Sequence, residues 1–182
     1  MADIAQLAED LSGSSRRGRQ NAAEELAELV KTQPRDLVPY IPDYIDALNR
    51  PESQTRWECL DILTELVPFD PEACAEALSG AELALFDEEN SMVRLWGMIF
   101  LCNLGAVNEE YSVKVWPLLD EAIRCYHGDM EFQDMLTAVL AFSQGNLAPE
   151  VKKALAATMA FDAENSRGLL QRKAKRIIEN VN

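Results

Sequence analysis

Histidine is nearly absent from this chain: His127 is the only one among 182 residues. Imidazole is the side chain that titrates near neutrality, so it carries much of acid–base and nucleophilic catalysis. Ser-His-Asp and Cys-His arrangements would both have to use this one residue. Its position beside Gly128, at a predicted helix end, suits a ring that caps the last carbonyls. The patterns H-E-x-x-H, G-x-x-x-x-G-K-[ST], G-x-G-x-x-G and G-x-S-x-G are missing too. No catalytic, cofactor-binding or metal-ligating set can be drawn, and the chain is not expected to be an enzyme.

Cysteine is also sparse. Cys59, Cys74, Cys102 and Cys125 lie 15, 28 and 23 residues apart, which leaves no C-x-x-C pair and no zinc or redox spacing. All four fall in helical, apolar stretches and are expected as buried, reduced thiols. The calcium-loop pattern D-x-[DN]-x-[DN]-G is absent, so carboxylate groups such as Glu58, Asp61 and Glu65, or Asp87-Glu88-Glu89, read as solvated faces rather than calcium ligands.

Positive charge is short supply as well, with 17 bases against 31 acids and a formal charge of −14. Such a surface repels phosphate and argues against nucleic acid or anionic lipid, whereas a basic partner fits it. The imbalance is concentrated: residues 33–146 carry 21 acids and 6 bases, while 147–182 carry 4 acids and 7 bases. No window holds the roughly 18 uninterrupted apolar residues of a membrane span, and Met1-Ala2-Asp3-Ile4-Ala5-Gln6 has no basic region leading into an apolar block. A soluble, cytoplasmic protein is expected.

What the chain does contain is helical periodicity, cut at regular intervals by Ser12-Gly13, Gln33-Pro34, Asn49-Arg50-Pro51, Pro68 to Pro71, Asp87 to Asn90, Gly105, Gly128, Gly145 and Asp162-Ala163. Leu60, Leu63 and Leu66-Val67 repeat at three and four, as do Val93, Gly97, Leu101 and Leu104, and no segment alternates like a strand. Ser53, Asp70-Pro71, Asn90-Ser91, Asn108-Glu109-Glu110 and Pro149-Glu150 supply helix starts. Ten helices are predicted, at roughly 3–12, 15–32, 35–49, 52–67, 71–86, 90–104, 108–126, 129–144, 149–161 and 164–180. They pair into five hairpins, with repeats at roughly 1–33, 34–69, 70–106, 107–147 and 148–182 in a single domain. Arg19, Arg56 and Arg94, early in second helices, are 37 and 38 apart; Arg172 follows 78 later, and Pro42 and Pro117 stand 75 apart. Stacked hairpins share one core because a single hairpin cannot cover its own apolar face.

The stretch Leu37 to Val67, LVPYIPDYIDALNRPESQTRWECLDILTELV, resembles a HEAT repeat: a helix kinked by proline, a turn, then Arg and an aliphatic run. Ser91-Met92-Val93-Arg94, followed by Gly97 and Leu101, is similar to the Val-Arg and small-residue pattern that opens the second helix in that family. The resemblance extends over the chain as architecture and implies an all-α, right-handed α-α superhelix of the HEAT/armadillo-like kind. It departs from the family at Gln133 and Asp134, which stand where Arg is expected. Acidic turn residues to pair with the arginines are evident only at Asp87 and Glu88, so a continuous ladder of turn ion pairs is not expected. Metal-dependent hydroxylases of this architecture need repeated His-Glu pairs that one histidine cannot provide. DNA glycosylases of this architecture use a basic concave surface, and although Trp57, Trp96 and Trp116 have acids nearby, the charge has the wrong sign.

The resemblance implies a binding role, with the second helices lining the contact surface. On helix 52–67 the core stripe takes Cys59, Leu60, Leu63 and Leu66-Val67, leaving Trp57, Glu58, Asp61 and Glu65 on or near the outer side. A tryptophan beside three carboxylates suits a basic peptide, since the ring stacks on a guanidinium while the acids neutralise it; packing of Trp57 on the next repeat is the alternative. Trp96 is expected in the core and Trp116 in the proline kink. Arg167, Arg172, Lys173, Lys175 and Arg176 form a basic face on the last helix, which reads as a solvated cap, with a contact for an acidic partner or RNA as the alternative. The expected function is an adaptor or scaffold for a basic protein or peptide. An inhibitor of a cationic enzyme is the runner-up, and a nucleic-acid repair enzyme the third reading.

Overall fold

A computed structural model describes residues 3–182. Among these residues there is no strand, and ten helices have seven residues or more. In chain order they are α1 (Ile4–Asp10), α2 (Arg16–Val30), the short α3 (Pro34–Leu37), a 3-10 turn (Val38–Tyr40), α4 (Ile41–Ala47), α5 (Ser53–Leu66), the short α6 (Pro71–Ala75), α7 (Leu78–Leu85), α8 (Ser91–Gly105), α9 (Glu109–Cys125), α10 (Phe132–Phe142), α11 (Pro149–Asn165) and α12 (Gly168–Val181). None is long and apolar enough to cross a membrane, among the described residues. The chain divides into two compact units, one ending at Phe100 and the other starting at Leu101.

In the first unit α1 packs on α2, α4 on α5, and α2 on α5. Short polar caps start these helices: Asp3 accepts from the Ala5 and Gln6 amides, Ser15 from Gly18, and Asp70 from Ala73. The core holds Leu26, Ala27 and Val30 from α2, Ile41 and Tyr44 from α4, and Cys59, Leu60, Ile62, Leu63 and Leu66 from α5, each at most 2% exposed. Where α7 meets α8, a Cβ on Gly97 would lie 2.7 Å from the Leu85 amide nitrogen and 3.1 Å from the Ala81 carbonyl oxygen. Only glycine allows the two backbones this approach.

In the second unit α9 packs on α10 and α11, and α12 on α10 and α11. Polar links join residues one repeat apart. The Ala148 amide donates to the Ser112 hydroxyl at 3.0 Å, Thr158 to Asp120 at 2.8 Å, Asn180 to Ser143 at 2.8 Å and Lys173 to Thr137 at 2.8 Å, with separations of 36, 38, 37 and 36 residues. On α12 Ala174 and Ile177 are buried, while Arg172, Lys175 and Arg176 are exposed.

Several helix limits differ from the sequence reading. The expected helix 35–49 is three pieces, because Pro39 and Pro42 lack the amide hydrogens a continuous helix needs. The expected helix 71–86 is interrupted at Glu76-Ala77, past which Gly80 lies so close to Leu48 that a Cβ would come within 2.8 Å of its Cδ1. Asp162-Ala163 is no break: α11 runs on to Asn165, and the turn falls at Ser166-Arg167 before Gly168, which has φ +65°. Cys59, Cys74 and Cys102 are buried as expected, but Cys125 is exposed, because it ends α9 on the side away from the core.

Candidate functional site

The pairing of α2 with α5 is registered by Arg19. Its Nε donates to Glu52 at 3.2 Å, its Nη2 pairs with the same carboxylate, and its Nη1 donates to the Gly13 carbonyl at 2.7 Å. Glu52 is 4% exposed and occupies the N-cap of α5 without bonding that helix's amides, so Ser53 is not the cap that the sequence indicated. One hairpin further on, Arg56 Nη1 donates to Asp87 at 2.7 Å, and Arg94 donates to the Asp87 carbonyl oxygen at 2.9 Å. Each of Arg19 and Arg56 thus reaches an acid in the following hairpin, which gives two ion-pair rungs in the first unit; Asp87 was indicated by the sequence and Glu52 was not. The Arg19 guanidinium holds the Glu52 carboxyl below its ordinary range. Burial pushes the Asp87 carboxyl up, but the hydrogen bonds from Arg56 and from the Asn90 and Glu89 amides outweigh it and the net shift is downward.

With Arg19 and Arg56 in register, residues 37 apart on the two helices correspond, so Glu24 matches Asp61 and Glu28 matches Glu65. Glu58, Asp61 and Glu65 follow at i, i+3 and i+7 on one stripe of α5, and Glu24 and Glu28 at i and i+4 on α2. The five carboxylates therefore lie alongside one another on the α2–α5 pair, near enough for Glu24 and Glu28 to act on Glu58, and for Glu28, Glu58 and Glu65 to act on Asp61. Lys31, at the C-cap of α2, is the cation among them: its Nζ lies 3.0 Å from Glu28 and 4.0 Å from Asp61. The Trp57 indole N–H donates to Glu58 at 3.2 Å, and the ring is half-buried.

The structure thus brings together all four residues singled out from sequence, with one revision. Glu65 is exposed and Trp57 and Glu58 are half-buried, but Asp61 is only 8% exposed rather than outward. Its stripe lies in the seam between the helices, not on the far side of α5. Burial pushes its carboxyl up to about 6; Lys31 pulls it down, and Glu65, Glu58 and Glu28 push it further up. Burial likewise raises Glu58, opposed by the Trp57 hydrogen bond and Lys31 and reinforced by Glu24 and Glu28. Glu24, Glu28 and Lys31 were missed in the sequence, although the 37-residue offset between Arg19 and Arg56 carries Asp61 and Glu65 back onto the two glutamates.

Trp96 on α8 is half-buried rather than fully in the core. Trp116 stacks on Phe142 with centroids 6.5 Å apart and planes 2° from parallel, ahead of Pro117 inside α9.

A second feature lies between α9 and α11, a cleft of about 320 Å³ lined by Ile123, Arg124, His127, Thr158, Phe161 and Asp162. His127 does not cap its helix; its Nε2 sits 3.1 Å from both Asp162 oxygens, and Asp162, 4% exposed, also accepts from Ser166 at 2.6 Å. Arg124 pairs with Asp120 at 2.7 Å. Arg124 is thus matched by an acid of its own, unlike the carboxylates of the α2–α5 face. Among the described residues no group of three or more His, Cys, Asp or Glu is placed to hold a metal ion.

Neither a protein-family model nor a curated protein matches the chain in sequence. Solved structures do match its fold. An engineered protein aligns with a TM-score of 0.78 at 16% identity, over 99% of this chain and 48% of its own, so the chain spans about half of that protein. A computationally designed armadillo repeat protein for modular peptide recognition aligns at 0.77 and 15% identity, over 98% of this chain and 82% of its own. A designed armadillo repeat protein in complex with the peptide (KR)4 aligns at 0.69 and 13% identity, over the full length of both. The chain has an all-α, armadillo/HEAT-like helical repeat fold.

Proposed function

We propose that this protein is a non-catalytic binding scaffold whose α2–α5 face holds a basic segment of another protein. The observation that carries the reading is the imbalance at that face. Glu24, Glu28, Glu58, Asp61 and Glu65 share a single cation, Lys31, and Asp61 is buried while accepting no hydrogen bond among the described residues. Burial raises its carboxyl to about 6, so a donor that met its oxygens would lower the cost of carrying charge there. A guanidinium from a partner would supply two N–H groups in the geometry a carboxylate accepts. Trp57 lies one helical turn before Asp61, where its ring can stack on the same guanidinium. The designed armadillo structure holding (KR)4 has a similar fold and a ligand of the charge class this face would attract. Duplex nucleic acid would be repelled by the same carboxylates.

The test is calorimetric titration of the protein with (KR)4 at about 50 mM salt and again at about 0.5 M, where exposed charge contacts are heavily screened. Binding that weakens steeply with salt, and that Glu58→Gln/Glu65→Gln reduces, supports the reading. Absence of binding at low salt, or binding indifferent to both salt and that double substitution, rejects it.

A further inference from the structure

We propose that Lys31 is a tethered competitor for the acidic face: its ammonium holds the place between Glu28 and Asp61 that a ligand's cation takes on binding. The proposal rests on the reading of this face as a site for a basic segment. Lys31 is the one cation within 4.0 Å of Asp61 among the described residues, and it makes its close contact with Glu28, at 3.0 Å, not with Asp61. Asp61 is thus compensated by charge at a distance while its hydrogen-bonding capacity stays open. Lys31 is also free to leave. It stands at the C-cap of α2, its side chain is 49% exposed, and its stem is flexible. Its own pKa is raised, first by the hydrogen bond to Glu28 and then, against burial, by the charges of Asp61, Glu28 and Glu58. The ammonium is therefore held by the same carboxylates a ligand needs.

A tethered cation acts as a threshold. A ligand offering one ammonium gains little, because it replaces an equivalent group already present. A ligand offering a guanidinium, or several cations spread over Glu24, Glu58 and Glu65 as well, gains contacts that Lys31 does not make. Lys31 on this view selects for arginine-bearing or multiply basic segments against singly charged ones.

The experiment titrates (KR)4 at about 50 mM salt into the wild-type chain, Lys31→Gln and Lys31→Arg. Both substitutions fall at an exposed helix end, and thermal unfolding checks that each variant is folded. Lys31→Gln is expected to bind about three- to fivefold more tightly, the scale of one exposed ion pair, while Lys31→Arg shows no gain. Wild-type binding with no gain in Lys31→Gln overturns the competitor role and leaves the acidic-face reading intact. An equal gain in both variants also overturns it, since the charge would then not matter. Failure of all three proteins to bind (KR)4 rejects the acidic-face reading and the competitor with it.

Discussion

Arg19 and Glu52, 33 residues apart, close an ion pair in which the guanidinium side chain is 12% exposed and the carboxylate 3%. The carboxylate gives up its natural place as a cap of α5 to bind the preceding hairpin. The pair therefore fixes how α2 sits against α5, and with it the alignment of the two acidic stripes.

Replacing Glu52 by alanine leaves the Arg19 guanidinium nearly buried with only the Gly13 carbonyl as a partner. A loss of stability is expected, because the guanidinium is left without its carboxylate partner. Urea unfolding should show a lower midpoint at unchanged slope. Arg19→Met/Glu52→Met, which removes both charges, should lose less than Glu52→Ala does.

Acidity should act in two opposed windows. Glu52 and Asp87 have lowered carboxyl pKa values in the fold, so their contribution is complete above the ordinary carboxylate range and disappears as pH falls through the folded values. Asp61 is shifted the other way, to about 6, so the folded state binds more protons than the unfolded chain between about pH 4 and 6. Its contribution therefore worsens as pH rises through that window. Stability measured by urea midpoint should increase from about pH 7 to about pH 5 and fall again below about pH 4. Asp61→Asn should flatten the upper limb and raise stability at neutral pH by roughly 1–2 kcal/mol, while weakening (KR)4 binding.

Gly97→Ala drives a methyl into the backbone of α7, 2.7 Å from the Leu85 nitrogen and 3.0 Å from its Cα. Neither atom belongs to a flexible side chain that could turn aside. A loss of about 1–3 kcal/mol is expected from overpacking, read as a lower melting temperature.

Thiol titration with an aromatic disulfide should count one reactive cysteine in the native protein and four after denaturation. Cys125 is exposed, whereas Cys59, Cys74 and Cys102 are buried. Burial raises the thiol pKa of all three, Cys74 to about 12. The thiolate that reacts is thus scarce as well as shielded.

The helical repeat character was legible because it depends on local spacing. Leu60, Leu63 and Leu66 mark the buried stripe of α5, and the arginine offset marks the repeat. The candidate site was half legible. Trp57, Glu58, Asp61 and Glu65 share one helix and announce themselves together, but Glu24, Glu28 and Lys31 belong to a different helix and join them only through packing. The same reason hid Glu52, a turn residue whose partner is 33 positions earlier, and Asp162, whose Asp-Ala sequence looked like punctuation until His127 and Ser166 converged on it. Partners contributed by a neighbouring hairpin leave little trace in the local pattern.

The correspondence of Glu24 with Asp61 and of Glu28 with Glu65 makes one hairpin the unit of the acidic face, and the next positions at the same offset, Met98 and Cys102, carry no acid. Each unit adds roughly 8–10 Å, the usual separation of packed helices. The reach of such a surface changes in whole steps, through gain or loss of a hairpin, while its chemistry at each step is adjusted by single residues. For the basic-segment site proposed above, length preference and charge preference are therefore separable.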